Sequence, residues 1–441
     1  MSGSGLDTIV APATPLGRSA LALVRIDGPR ALEMIEQLAG TTLAERVASR
    51  VTLTDDDGPI DDAIAISYVA PRSFTGNDLV EVSLHGSPAI VQRLIASLLA
   101  RGARSAEAGE FTERAVMNGK IDLAQAEAIG DLIASRTALQ GKLALANLGG
   151  MLSREAEEIR SALLDLLMRL ESALDFADED ITFISREDLV REIGRVSSRI
   201  ESLESTFTRG RATAAGITLV ILGRPNAGKS TLLNMLCGTE RAIVTPIPGT
   251  TRDLLRETIE IGGLPVTLVD TAGLRETDDP VESIGVTRAR DAAGKGELVL
   301  YLIDASAGAT REDLEFLAAE PDAIEVYTKT DLREAPPGKF GMSAVRREGV
   351  NELLELLESR IIDAFAVPEG SAAVTNERQL SALRAAHLLL SSASEASSTG
   401  STEEIVAADL RAAAEALKAL TGDISRQDVL LAIFSKFCIG K

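Results

Sequence analysis

The sequence predicts a multidomain α+β fold: an N-terminal α+β domain, a helical domain that is discontinuous in sequence, and an α/β domain inserted into the helical one. Three observations predict it. Short alternating runs of apolar and polar residues occupy roughly the first 120 positions, and apolar residues then recur at spacings of three and four. Between Gly216 and about Ala364 a pattern of strand, loop and helix repeats before helical spacing returns. A chain of 441 residues has room for two or three cores, since single cores seldom grow beyond about 250–300 residues.

In residues 1–119 the runs "ALALVRI" and "DLVEVSLHG" have the period of half-buried strands, and "AIVQRLIASLLARG" that of an amphipathic helix. Residues 120–215 turn helical from "IDLAQAEAIGDLIAS", and Leu189, Ile193, Val196, Ile200, Leu203 and Phe207 form a helix-packing seam. At "TRGRATAAG" the helical signal stops. Residues 216–366 form the inserted α/β domain, and the polar stretch "AVPEGSAAVTNERQ" follows it. Residues 367–441, through "EEIVAADLRAAAEALKALTG", are helical again but too few to support a core alone. The two helical segments therefore read as one domain, interrupted where its ends lie close together.

The net charge of −21 and 45% hydrophobic residues describe an acidic chain that still buries a core, which excludes a largely disordered protein. The acidity is spread, with its largest share in residues 216–365, and no basic block interrupts it. The acidity argues against a broad phosphate-gripping face, and 3% aromatics without tryptophan argue against a base-stacking platform, so any nucleic-acid contact is expected to be local or shared. No apolar stretch approaches the ~20 residues of a membrane span. The first basic residue, Arg18, comes too late for a secretory leader, so a cytoplasmic protein is expected. Cys237 and Cys438 lie far apart and form no metal-ligand spacing, so zinc is not expected.

The inserted segment carries the strongest chemistry. After the apolar strand "ITLVILG" and before the helix "TLLNMLCG", Gly223, Gly228, Lys229 and Ser230 stand at G-x-x-x-x-G-K-S spacing, with Ala227 and Thr231 in the same loop and first turn. The glycines let backbone N–H groups face phosphates, Lys229 reaches the β- and γ-phosphates, and Ser230 can ligate Mg²⁺. The strand "LPVTLVD" ends in Asp270, followed by Thr271, Ala272 and Gly273; Asp270 suits the Mg²⁺ shell and the Gly273 N–H a γ-phosphate. "TKTD" supplies Lys329 and Asp331, whose carboxylate can accept the ring N–H and exocyclic amine of guanine, and "GMSAV" supplies Ser343 and Ala344. Four elements in this order predict a Ras-like P-loop GTPase domain. Leu274 stands where signalling GTPases carry a water-orienting Gln, so the water must be positioned from elsewhere, Glu282 being the acidic candidate. Thr251, in "IVTPIPGTTRD", is the expected Mg²⁺ ligand of the switch, and no arginine finger is evident. Asn226 leaves two readings open: a turn residue, or an amide oxygen that helps hold a monovalent cation beside the phosphates.

"GRPNAGKS", "GTTRD", "DTAGLRETDDPVESIG" and the closing "FCIGK", with "DTIVAPATPLGR" and "NGKIDLAQAEAI" earlier, resemble the MnmE (TrmE) family of tRNA modification GTPases over essentially the whole chain. The resemblance implies an N-terminal folate-binding and dimerisation domain, a helical domain ending in "FCIGK", and a GTPase domain between its halves. It implies a homodimer whose GTPase domains meet when K⁺ and GTP are bound. It further implies a complex, heterotetrameric or larger, with the FAD-dependent partner MnmG. Together they install an aminomethyl or carboxymethylaminomethyl group at C5 of the wobble uridine of certain tRNAs, with methylene- or formyl-tetrahydrofolate as the one-carbon source. By position, Asn226 and Thr250 with the backbones of Thr245 and Ile247 would bind K⁺, Ser230 and Thr251 would bind Mg²⁺, and Glu282 would organise the attacking water. Folate contacts fall on Arg25, Glu81, Lys120 and Lys441.

Cys438 stays open between a buried small hydrophobe and a thiol active in the chemistry. Cys237 reads as core, and His85 as a turn or packing histidine. One departure from the family is Thr328, where most members carry Asn; a hydroxyl makes fewer hydrogen bonds than an amide, which puts nucleotide affinity in question. The alternative function, a GTP-dependent RNA or ribosome assembly switch, would be expected to carry a basic appendage, and it gives "FCIGK" no place.

Overall fold

The computed structural model describes residues 7–175, 184–238, 256–270, 298–368, 370–400 and 402–422, together with 433, 434, 437 and 440. The chain divides into two compact units, Met1–Gly130 with Lys418–Lys441, and Asp131–Leu417.

In the first unit, strands β1 (Ile9–Pro12), β2 (Leu21–Asp27), β3 (Ser49–Asp55), β4 (Gly58–Tyr68), β5 (Leu79–His85) and β6 (Arg104–Ser105) build one sheet. Its order is β3-β4-β5-β2-β1-β6, antiparallel except where β1 meets β6. Alternation along β2 and β5 sends Val24, Ile26, Val80, Val82 and Leu84 to one face, where they share a core with Met34, Ile35, Leu94 and Leu98. Those last four belong to the helices Ala31–Ala39 and Pro88–Ala100, the second opened by a proline in its first turn. The same alternation puts Arg25 and Glu81 on the opposite face, and the antiparallel register sets them directly across from each other. The helix Glu110–Met117 contributes Phe111 to a small cluster with Ile9, Ala11 and Ala106. Phe434 is buried with Val116, Leu123 and Ala126, so the C-terminal segment is part of this unit's packing.

In the second unit the seam reads as expected along the helix Arg186–Ser205, where Leu189, Ile193, Val196, Ile200 and Leu203 are buried. This helix packs against both Met151–Asp175 and Glu377–Thr399. Segments from before and after the inserted sheet therefore pack against one another. Two details differ from the expectation. The seam ends at Leu203, because the helix closes at Thr206 and Phe207 begins another. "TRGRATAAG" is not the end of the helical region but most of that next helix, Phe207–Ala215. Packing fixes it: Ala212 and Thr213 are buried, Thr213 donates to the Phe365 carbonyl at 3.3 Å, and Gly210 lies flush against the Val374 carbonyl.

Gly216, at φ +83°, turns that helix directly into a five-stranded sheet. Its strands are β7 (Ile217–Gly223), β8 (Arg256–Ile261), β9 (Leu264–Asp270), β10 (Leu298–Asp304) and β11 (Ile324–Thr328). The order is β11-β10-β7-β9-β8, parallel except for the β8–β9 hairpin. Helices Lys229–Cys237 and Val350–Phe365 cover one face over Leu219, Ile221, Leu268 and Leu300. Phe316 and Leu317 of Arg311–Ala319 cover the other over Val220, Leu222 and Tyr301. Such strands are buried on both faces, which is why they read as continuous apolar runs. Among the described residues no helix is long and apolar enough to cross a membrane.

Candidate functional site

The phosphate loop leaves the carboxyl end of β7, the usual ligand edge of a parallel sheet. Gly223 takes φ +139°, and a Cβ there would overlap the Leu302 carbonyl of β10. Asn226 at φ +65° and Gly228 at φ +92° complete the turn, and Gly228 caps the helix Lys229–Cys237. The unpaired N–H groups of that first turn and the helix dipole make an anion cradle. Lys229 is buried, and its ammonium donates to the carbonyls of Gly223 at 2.6 Å and Arg224 at 2.9 Å, which holds it on the rim of the loop. Ala227 is buried beneath the loop, while Ser230 and Thr231 are exposed on the helix's first turn. β9 runs beside β7 and ends at Asp270, in register with Ile221, two residues before Gly223 opens the phosphate loop. The exposed hydroxyl of Ser230 suits a Mg²⁺ ligand. Asn226, a residue that tolerates positive φ, is exposed at the turn of the loop.

The base-reading element follows β11. The Thr328 hydroxyl lies 2.8 Å from the Ala227 carbonyl and 3.3 Å from that of Ile303, so it ties the phosphate loop to the sheet in place of the family's Asn. Lys329 takes φ +57° and pairs with Asp304 at 2.6 Å. Burial opposes ionisation of Asp304, but hydrogen bonds from Lys329 and Ser306 outweigh it and hold the carboxyl below the ordinary carboxylate range. Ser343, fully buried, donates to Asp331 at 2.7 Å and fixes the carboxylate assigned to guanine, while Ala344 follows half-buried. Sequence reasoning missed Asp304; its one signal was an acidic residue at the carboxyl end of an apolar parallel strand.

Thr245, Ile247, Thr250, Thr251, Thr271, Ala272, Gly273, Glu282, Cys438 and Lys441 lie outside the described residues, and of Asp270 only the main chain is described. Cys237 packs at the margin of the sheet's core, and burial first, then Glu257, pushes its thiol pKa up. It is a packing residue, as the sequence suggests.

In the N-terminal unit, Arg25 and Glu81 form an ion pair at 2.6 Å with side chains only 13% and 22% exposed. Both Arg25 bonds land on Glu81 Oε1. The guanidinium lies 5.6 Å from the ring centroids of both Phe74 and Phe111. Arg25 Nη1 also reaches the Gly440 carbonyl at 3.5 Å, which brings the C-terminal segment to this pair. A half-buried carboxylate beside a guanidinium and two aromatic rings suits a planar polar heterocycle with N–H donors. Lys120 instead donates to the Pro71 carbonyl at 2.9 Å, and no described contact joins it to Arg25 or Glu81. His85 is not a packing residue: it is exposed at the end of β5, its ring Nδ1 2.8 Å from Asp61.

A phosphate loop, a neighbouring strand ending in Asp270 and the Ser343-braced carboxylate of Asp331 at one edge of one sheet define a P-loop GTPase. The description "GTP-binding protein TrmE N-terminus" matches residues 8–120, and "MnmE helical domain" matches residues 123–438. Relatives named "tRNA modification GTPase MnmE" include those of Nitrosospira multiformis, 40% identical over 99% of both chains, and Koribacter versatilis, 41% identical over 99% of both. That of Aquifex aeolicus is 40% identical over 99% of this chain and all of its own. Among solved structures, the G domain of the T. maritima FeoB iron transporter is 28% identical, with a TM-score of 0.23, covering 32% of this chain and 94% of that one. The chain belongs to the MnmE (TrmE) family of tRNA modification GTPases.

Proposed function

We propose that this protein is a K⁺-activated GTP hydrolase that acts with the FAD-dependent protein MnmG, as a homodimer within a larger complex. The complex modifies C5 of the wobble uridine of certain tRNAs. The observation that carries the reading is one edge of one sheet: the cradle at Gly228 and Lys229, the end of β9 at Asp270, and Asp331 braced by Ser343. Such an edge orients a guanine nucleotide and its phosphates, and in phosphoryl transfer catalysis is chiefly positioning and charge stabilisation. Lys229 neutralises phosphate charge, and Ser230 and Thr251 would hold Mg²⁺. Leu274 cannot orient water, so Glu282 takes that task. Asn226, Thr250 and the backbones of Thr245 and Ile247 would hold K⁺, which supplies the fixed positive charge that an arginine finger supplies elsewhere.

Arg25 and Glu81, with Lys120 and Lys441, would bind methylene- or formyl-tetrahydrofolate, which supplies the one-carbon unit. Their support is the half-buried ion pair and the Gly440 carbonyl beside it. Cys438, two residues before Gly440, is the candidate thiol for the modification step. The test is mass spectrometry of tRNA nucleosides from cells lacking the protein, together with GTP hydrolysis in K⁺ and in Na⁺. Loss of the C5 modification and a rate that depends on K⁺ are expected. An unchanged nucleoside profile would overturn the modification reading, and equal rates in the two salts would overturn the cation.

A further inference from the structure

Phe74 is a large aromatic residue left 37% exposed between two buried neighbours, Ser73 and Thr75. An exposed ring on a mobile loop needs no explanation, but this loop is pinned. The Thr75 hydroxyl donates to Asp27, a carboxylate with no exposure at the end of β2. Asn77 donates to the same carboxylate at 3.0 Å, and Arg114 holds it from the helix Glu110–Met117 at 2.9 Å. Asn118 clamps the loop from that helix's end, donating to the Thr75 carbonyl at 2.7 Å. Ser73 closes the turn by donating to the Asn77 carbonyl at 2.5 Å. Buried polar networks with each member bonded are rigid, and here the rigidity is spent on holding one partly exposed ring.

That ring and the ring of Phe111 each lie 5.6 Å from the Arg25 guanidinium. Phe111 is fully buried and would by itself give the guanidinium an apolar neighbour. Phe74 adds a partly exposed ring to the Arg25–Glu81 pair, and Glu81 Oε2 has no bond among the described residues. From these observations we infer that Phe74 is a binding residue of the one-carbon site: its ring stacks on the planar heterocycle of the tetrahydrofolate while Glu81 accepts the heterocycle's N–H edge. Asp27 is a positioning residue that acts through Thr75. The inference rests on the folate reading above and adds to it the aromatic wall and the network that sets its place.

The test is calorimetric titration of the full-length protein with 5-formyltetrahydrofolate, read together with the absorption spectrum of the bound heterocycle. Phe74→Leu keeps an apolar cover on Arg25 but removes the aromatic face. It should weaken binding about tenfold, as the loss of one stacking partner does, and abolish the hypochromic change of the heterocycle's absorption. Phe74→Tyr should bind within about twofold of the parent and keep the spectral change. Thr75→Val, which frees the loop from Asp27 without touching the ligand, should weaken binding by an intermediate factor. Parent-like affinity and spectrum in Phe74→Leu would overturn the inference and leave the folate reading standing. A parent protein that binds no folate would overturn both, and Phe74→Met serves as the second apolar variant should Phe74→Leu melt at a lower temperature.

Discussion

At the scale of single residues, Thr328 shows what a departure from a motif does and does not change. Its hydroxyl reaches a carbonyl 101 positions away in the phosphate loop, so the link between base-reading strand and loop survives the change from Asn. Thr328→Val keeps the shape and removes the donor, leaving the Ala227 carbonyl unsatisfied, which costs about 1–3 kcal/mol. GTP affinity should fall roughly tenfold in a fluorescent-nucleotide titration, and parent-like binding would show the link to be idle. Asp304 gives a pH-dependent counterpart. Its carboxyl is held below the reference value of 3.8, so its stabilising pair with Lys329 is complete above that value and is lost as pH falls through the lowered one. Asp304→Asn should remove that part of the acid-unfolding profile while leaving the profile above it unchanged, as followed by circular dichroism.

At the scale of elements, the helix Phe207–Ala215 reverses a rule of thumb. Replacing a glycine inside a helix by alanine ordinarily stabilises by about 1 kcal/mol. Gly210 lies where a Cβ would overlap the Val374 carbonyl, so the backbone would have to part. Gly210→Ala should therefore destabilise by about 1–3 kcal/mol, the usual cost of overpacking, in a denaturant melt. A stabilised variant would mean that the segment Ala373–Val374 yields without cost. The same packing explains why this helix was illegible in sequence: its apolar residues are one phenylalanine and small alanines that mark no buried stripe, a glycine interrupts them, and the partners that fix it come from beyond the inserted sheet. The seam of the preceding helix was legible because its period is local, whereas its end at Leu203 depends on where the next helix docks.

At the scale of the molecule, the phosphate loop lies in one compact unit, and Arg25 with the C-terminal Gly440 in the other. Gly440 takes φ +99°, and a Cβ there would overlap the Pro12 carbonyl, so Gly440→Val should displace it from Arg25. GTP hydrolysis by the purified protein should stay unchanged while tRNA modification is lost, the first measured as phosphate release and the second by nucleoside mass spectrometry. Loss of both would show that the tail also serves the GTPase unit.

The sequence by itself determined the elements whose chemistry is local. Gly223, Gly228, Lys229 and Ser230 must follow one another for a loop to cradle phosphate, and period-two and period-four patterns state which faces are buried. Arg25 and Glu81 stood out only through family resemblance, because a lone charge in a strand carries no sign of what faces it. Tertiary structure alone decided the rest: the register that sets Arg25 against Glu81, the reach of Thr328 to Ala227, the pairing of Asp304 with Lys329, and the pinning of Phe74 through Asp27. Each joins residues far apart in the chain, and such contacts exist only once packing has fixed which strand lies beside which.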